Sequence, residues 1–217
     1  MDREAFLGMV GRASLTSVLP DAPSTPSTLT DLPAADLLTL FRARSQAVSA
    51  VVHGPMSGHG APRSVAGIAA GHGARSFLAW DRLPVPGVAA ALQSAGIDRV
   101  DHDVPVEGRL EHQLGYSQVD VGVTGAHAAL AESGSIVLVH GEGRPRLASL
   151  VPEVHIVLLE LAVLERNLAH WAGKHPTLAG DTTNLVLVTG PSRTGDIEQQ
   201  LNLGVHGPRH LHIVMIK

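Results

Sequence analysis

Three stretches of the chain combine residue types that do chemistry with turns that would let a ligand approach. In the first, Thr124 and Gly125 end one apolar run, and Glu132, Ser133 and Gly134 lead into the next, at 135–140. A carboxylate there is able to act as nucleophile, as base or as acceptor for ligand hydroxyls, and small neighbours leave room for close approach. A glutamate that only binds turn N–H groups would have the same neighbours. In the second stretch, Arg144 and Arg146 sit in a Gly/Pro loop. The guanidinium fork suits a carboxylate or a phosphate, although a solvated loop has the same composition. In the third, Gly190, Ser192, Arg193 and Thr194 follow the run 184–189, and the pattern predicts a helix over 196–203. Ser192 or Thr194 would cap it, and its free N–H groups together with Arg193 would favour an anion. Asp196 and Glu198 already complement the helix dipole, so a monocarboxylate or a hydroxylated ligand fits better than a phosphate. His206 follows within Leu203-Gly204-Val205-His206-Gly207-Pro208.

The thirteen histidines invite a metal reading. His210 and His212 would share one face of a strand, with His206 nearby. His53 with His59, and His102 between Asp101 and Asp103, are further pairs. None has a third ligand at a recognisable spacing, so no metal site is assigned. His155 opens an apolar strand and reads as a packed core histidine. Glycine-rich phosphate, dinucleotide and serine-hydrolase motifs are absent.

The chain contains no cysteine, which excludes disulfides, thiolate catalysis and a cysteine-held iron–sulfur cluster within it. Net charge is −4 without a basic run, which argues against nucleic acid as partner. No apolar run approaches the roughly 18–20 residues of a membrane span, and Met1-Asp2-Arg3-Glu4 lacks the order of a signal peptide. A cytoplasmic protein with no membrane segment is expected.

Positioning these residues requires alternating strands and helices. Helices are expected over 3–15, from 31 or 34 to 51, 64–70, 86–94, 161–171 and 196–203, with a short helix or turn at 126–131. Strands are expected at 76–80, 97–100, 119–124, 135–140, 154–159, 184–189 and 211–216. The Pro/Ser/Thr segment 20–28 reads as a linker. The domain division is therefore an N-terminal helix and linker over 1–33, followed by an α/β domain over 34–217. Only six aromatics occur, so the core must be aliphatic, as in parallel strands buried on both faces. The expected fold class is α/β, a mostly parallel sheet with helices on both faces.

Three blocks occur in order: Gly122-Val123-Thr124-Gly125 with Glu132-Ser133-Gly134-Ser135, then 146–157, then 190–208 with its closing Leu203-Gly204-Val205-His206-Gly207-Pro208. Together they resemble the LUD domain in the form of the lactate utilization protein C family. The resemblance implies a fold like that of sugar isomerases and CoA transferases (the NagB/RpiA/CoA transferase type). It also implies a part in oxidising L-lactate to pyruvate beside iron–sulfur partner proteins, with no cofactor in this chain. Glu132-Ser133-Gly134 is similar to the Glu-x-Gly of CoA transferases, whose glutamate is the nucleophile. Three readings stand at this point: a component of a lactate-oxidising system binding a small carboxylate, a stand-alone CoA-transferase-like or sugar-phosphate enzyme using Glu132, and a non-catalytic assembly or regulatory subunit.

Overall fold

The computed structural model describes residues 3–5, 8–9, 32–102, 116, 118–178, 182, 184–195 and 201–217. Of the expected 3–15 helix, the described residues are helical; the linker 20–28, Asp103 and Asp196 lie outside the described residues. Six strands form a parallel sheet: β1 (Val51–Met56), β2 (Ser76–Ala79), β3 (Asp98–Arg99), β4 (Val121–Gly125), β7 (Val154–Glu160) and β12 (His210–Ile216), in the order β1-β12-β7-β4-β2-β3. A second sheet holds β5 (Ala128–Leu130), β6 (Ser135–His140), β8 (Leu164–Glu165) and β9 (Asn184–Val188), in the order β8-β5-β6-β9.

Side-chain alternation along the parallel strands divides the core between two faces. Phe77, Ala79, Ile156, Leu158 and Val214 point toward α2 (Ala61–Gly71) and α3 (Val88–Ser94). Leu78, Trp80, Val157, Leu159, Ile213 and Met215 point the other way, onto Ile136 and Leu138 of the second sheet and Leu37 and Phe41 of α1 (Ala34–Ala47). The parallel α/β architecture is thus present. The difference from expectation is that α1 shares its face of the sheet with four further strands.

Four expected elements are corrected. The helix predicted to run to 51 ends at Ala47; Ser49 turns the chain with φ 70°, and Val51–Met56 pairs in parallel with β12. Within the segment 126–131, β5 is a strand, because Ala128, Ala129 and Leu130 pair with Val137, Ile136 and Ser135 of β6. Over 161–171, a 3-10 turn (Leu161–Val163) and the short β8 precede α4 (Leu168–Lys174), which starts only where the Asn167 side chain accepts the His170 N–H at 2.9 Å. Of the helix predicted over 196–203, residues 196–200 lie outside the described residues and 201–203 form a strand instead: β10 (Arg193–Gly195) pairs antiparallel with β11 (Leu201–Leu203). Distant backbone ties fix that hairpin, since Ser192 N–H donates to Pro208 O and Gly204 N–H to Ser192 O. No helix among the described residues is long and apolar enough to cross a membrane.

Candidate functional site

In an open parallel sheet, ligands bind beyond the carboxyl ends of the strands, where neighbouring strands send their connections in opposite directions. That point lies here between β2 and β4. The two are hydrogen-bonded neighbours, Leu78 opposite Gly122 and Ala79 opposite Val123. The chain leaving β2 passes through α3 to β3 on the outer side, whereas the chain leaving β4 goes on to β7 on the other side. Between the diverging ends lies a cleft of about 760 Å3, lined by residues 80–84, 125–126 and 142–144. Its third wall comes from the loop after β6, turned back by the bridge between Gly141 and Arg144 and held to the β2 end by the Asp81 N–H donating to Gly143 O at 2.9 Å.

The cleft carries Asp81, Glu142, Arg82 and Arg144. Asp81 is occupied: His102 Nε2 lies 3.0 Å and Arg99 Nη2 2.8 Å from the same carboxylate oxygen. The His102 hydrogen bond, then the Arg99 ion pair, hold its carboxyl below the usual range. Among the described residues neither Arg82 nor Arg144 has an ion-pair partner. Two cations against the single free carboxylate of Glu142 leave the cleft suited to a small monoanion.

A polar group lies behind the cleft wall, in the otherwise apolar layer between the sheets. Trp80 is 6% exposed, His140 4% and His155 0%. The His140 ring meets Trp80 edge-on, with centroids 5.8 Å apart. His155 Nε2 is 3.0 Å from Thr124 Oγ1. Among the described residues Trp80 Nε1 and His155 Nδ1 have no hydrogen-bond partner, and the buried nitrogens of His140 have at most the Arg144 backbone. Burial pushes the His155 pKa down to about 3, with His140 adding to the shift. Burial also lowers His140; a hydrogen bond with the Arg144 backbone opposes this, and the charges of Arg146 and Arg144 reinforce it. Both rings are therefore neutral near pH 7, and each offers one donor and one acceptor nitrogen.

The residues singled out from the sequence do not gather in one place. Thr124, Gly125 and Arg146 come together at the cleft and behind it, Arg146 being felt by His140. Of the others, Gly134, Gly190 and Arg193 lie at the C-terminal end of α1. Glu132 is exposed on the β5–β6 turn, its N–H donating to Arg166 O. Ser133 Oγ is 2.7 Å from Ser135 Oγ, which is 2.6 Å from Thr189 Oγ1. Gly134, with φ 70°, lies so close to α1 that a Cβ would meet Ser45 N at 2.5 Å; a Cβ on Gly190 would meet Val48 O. Arg193 donates to Ser49 Oγ. Thr194 is in β10, paired with Asn202. Ser192 Oγ accepts the His206 N–H at 3.4 Å. Next to the predicted helix start, Arg193–Gly195 is a strand paired with Leu201–Leu203. Sequence reasoning missed Trp80, Arg82 and His140; the signal available for the first two was their position at the end of a predicted strand and just after it.

Comparisons with known proteins agree with this architecture. The model of the LUD domain matches residues 39–216. An uncharacterized protein of Neisseria meningitidis serogroup B is 38% identical over 103 residues, 46% of this chain and 44% of that protein. Lactate utilization protein C of Halalkalibacterium halodurans is 33% identical over 152 residues, 66% of this chain and 64% of that protein. The chain thus spans less than two thirds of the length of these curated relatives. A crystal structure of a DUF162 family protein from Deinococcus radiodurans superposes with a TM-score of 0.62 at 22% identity, covering 86% of this chain and 100% of that one, which establishes the shared fold. With its parallel sheet in place and a family match from residue 39 to residue 216, the chain belongs to the LUD domain family.

Proposed function

We propose that this chain is the carboxylate-binding component of a cytoplasmic L-lactate utilization system, and that its cleft between β2 and β4 takes L-lactate or pyruvate. Conversion of L-lactate to pyruvate releases two electrons and two protons. The electrons pass to iron–sulfur clusters on partner proteins, since this chain has no cysteine to ligate a cluster. The chain itself contributes binding and orientation. The observation that carries the reading is the pair of unpaired arginines, Arg82 and Arg144, in a cleft at the switch point of the sheet. Relatives named lactate utilization protein C support the choice of lactate over other monocarboxylates.

The test is growth on L-lactate of a strain lacking the gene, complemented with the wild type, Arg144→Ala or Glu132→Gln. The wild type is expected to restore growth, and Arg144→Ala to reduce its rate several-fold while remaining folded. Normal growth of the uncomplemented strain would overturn the lactate reading. Full growth with Arg144→Ala and none with Glu132→Gln would move the working site from the cleft to the β5–β6 turn.

A further inference from the structure

The unpartnered polar atoms behind the cleft call for an explanation that packing does not supply. A buried polar atom without a partner costs about 1–3 kcal/mol, and here, among the described residues, Trp80 Nε1, His155 Nδ1 and at least one nitrogen of His140 share one region. His140 arrives at the end of β6, whose Ile136 and Leu138 face the same inter-sheet layer; an aliphatic residue would continue that pattern without cost. Trp80 belongs at once to the cleft wall and to the ring pair with His140. The loop that closes the cleft, 141–144, begins at the residue after His140. Arg144 and Arg146, whose charges act on His140, stand on the same loop.

We propose that Trp80 and His140, behind the cleft wall, extend the ligand site inward, so that when the 141–144 loop gives way the 2-oxygen of a 2-hydroxy- or 2-oxocarboxylate is hydrogen-bonded there while its carboxylate is held by Arg144. The inference rests on the carboxylate reading above and adds the group that separates lactate from plain carboxylates. A hydroxyl both donates and accepts, and so it matches a neutral imidazole beside an indole N–H. A keto oxygen accepts from the same two donors. His155 stands behind His140 and is fixed through Thr124 Oγ1; it acts as a positioning residue. A site that hydrogen-bonds a ligand oxygen rejects the analogue lacking it more strongly than an apolar pocket can, because its own polar atoms are then left unpaired.

The experiment is calorimetric titration of the intact chain with L-lactate, pyruvate and acetate, the last having a carboxylate but no 2-oxygen. The wild type is expected to bind L-lactate and pyruvate at least about 10-fold tighter than acetate. His140→Leu should bring both down to the acetate level while leaving acetate within about twofold. Its melting temperature should be equal or higher, since an apolar side chain of similar size leaves no orphaned nitrogen. Trp80→Phe should lose part of the preference. If His140→Leu does not fold, His140→Asn is judged by the same criterion. A His140 variant that keeps the full preference for lactate overturns the inference, as does a wild type that binds all three ligands equally; both leave the carboxylate reading standing. A wild type that binds none of the three overturns the carboxylate reading itself.

Discussion

Gly122 sets how closely the 3-10 turn Arg146–Ser149 can approach the floor of the site. A Cβ on Gly122 would clash with Ala148 O and lie 3.1 Å from Pro152, and neither is the free end of a flexible side chain. Gly122→Ala is therefore expected to destabilise the protein by about 2–4 kcal/mol, read from urea unfolding. A loss under about 0.5 kcal/mol would mean that the turn moves aside freely. Arg193→Ala should cost only about 0–1 kcal/mol, since Arg193 is exposed and donates to a single hydroxyl. At this scale the sequence was partly readable. Thr124, Gly125 and the arginine loop were recognisable because strand ends and guanidinium groups announce themselves locally. His140 was not: after Ile136, Val137, Leu138 and Val139 it reads as the last residue of a strand. Its significance lies in a ring contact with Trp80, at the end of β2 and separated from β6 in the chain by three other strands. Asp81 likewise gives no local sign that Arg99 and His102 hold it.

Among the elements, β1, β12 and α2 are tied together by a row of imidazoles on the helix-bearing face. His53 Nε2 is 3.0 Å from His212 Nδ1, and His212 Nε2 is 2.9 Å from His72 Nε2; the His210 ring lies tilted against His72, with centroids 4.7 Å apart. His210 and His212 do share a face as the alternation predicts, but the two ring nitrogens of His212 serve opposite neighbours. No group of three metal-ligating residues converges on one point among the described residues. Each N···N contact holds one proton, so the row accommodates neutral rings and at most one extra charge; a second would set two N–H groups against each other. Burial, then the neighbouring histidines, lower His212 from 6.5 to about 4; His53 and His72 are also lowered, the latter against a small upward pull from Glu153. The unfolded chain, titrating near 6.5, therefore binds more protons than the folded one in this window. Stability is whole above about pH 6.5 and is lost as pH falls from there through about 4. His155, His140 and His127, also lowered, act in the same direction. Urea midpoints are expected to fall steadily from pH 7 to pH 4.5, less steeply in His212→Asn. A midpoint unchanged between pH 7 and pH 5 would contradict this. Elements were legible where composition is strong: the Val/Ile/Leu runs of β4, β6, β7 and β12 could be placed from sequence. The hairpin β10–β11 was read as a helix because Asp196 and Glu198 look like a first helical turn; the ties from Ser192 to Gly204 and Pro208 that decide the outcome are long-range.

For the molecule as a whole, the cleft belongs to neither sheet alone. The parallel sheet supplies Trp80 and Gly125, whereas the second sheet supplies the loop that carries Arg144, with His140 behind the wall. The site therefore keeps its shape only while the layer between the sheets stays packed. That layer joins Ala129, Ile136 and Leu138 of the second sheet to Leu78, Val157, Leu159, Ile213 and Met215 of the first, with Phe41 of α1 closing one end. Removing β6 would expose apolar side chains of the central strands, so the two sheets should open as one cooperative unit. β9 differs, because it is an outer strand with partly exposed residues along its length and Leu187 41% exposed. β10 and β11 pair only with each other. Amide hydrogen exchange followed by mass spectrometry is expected to show β4, β7 and β12 slowest, β5 and β6 close to them, and β9 and the β10–β11 hairpin fastest by at least about 100-fold, or about 2.7 kcal/mol in opening free energy. Exchange in β6 as fast as in β9 would show that the second sheet opens independently. The position of His140 behind Trp80 would then change between molecules of the ensemble, and any preference for a 2-oxygen would have to come from residues of the parallel sheet alone.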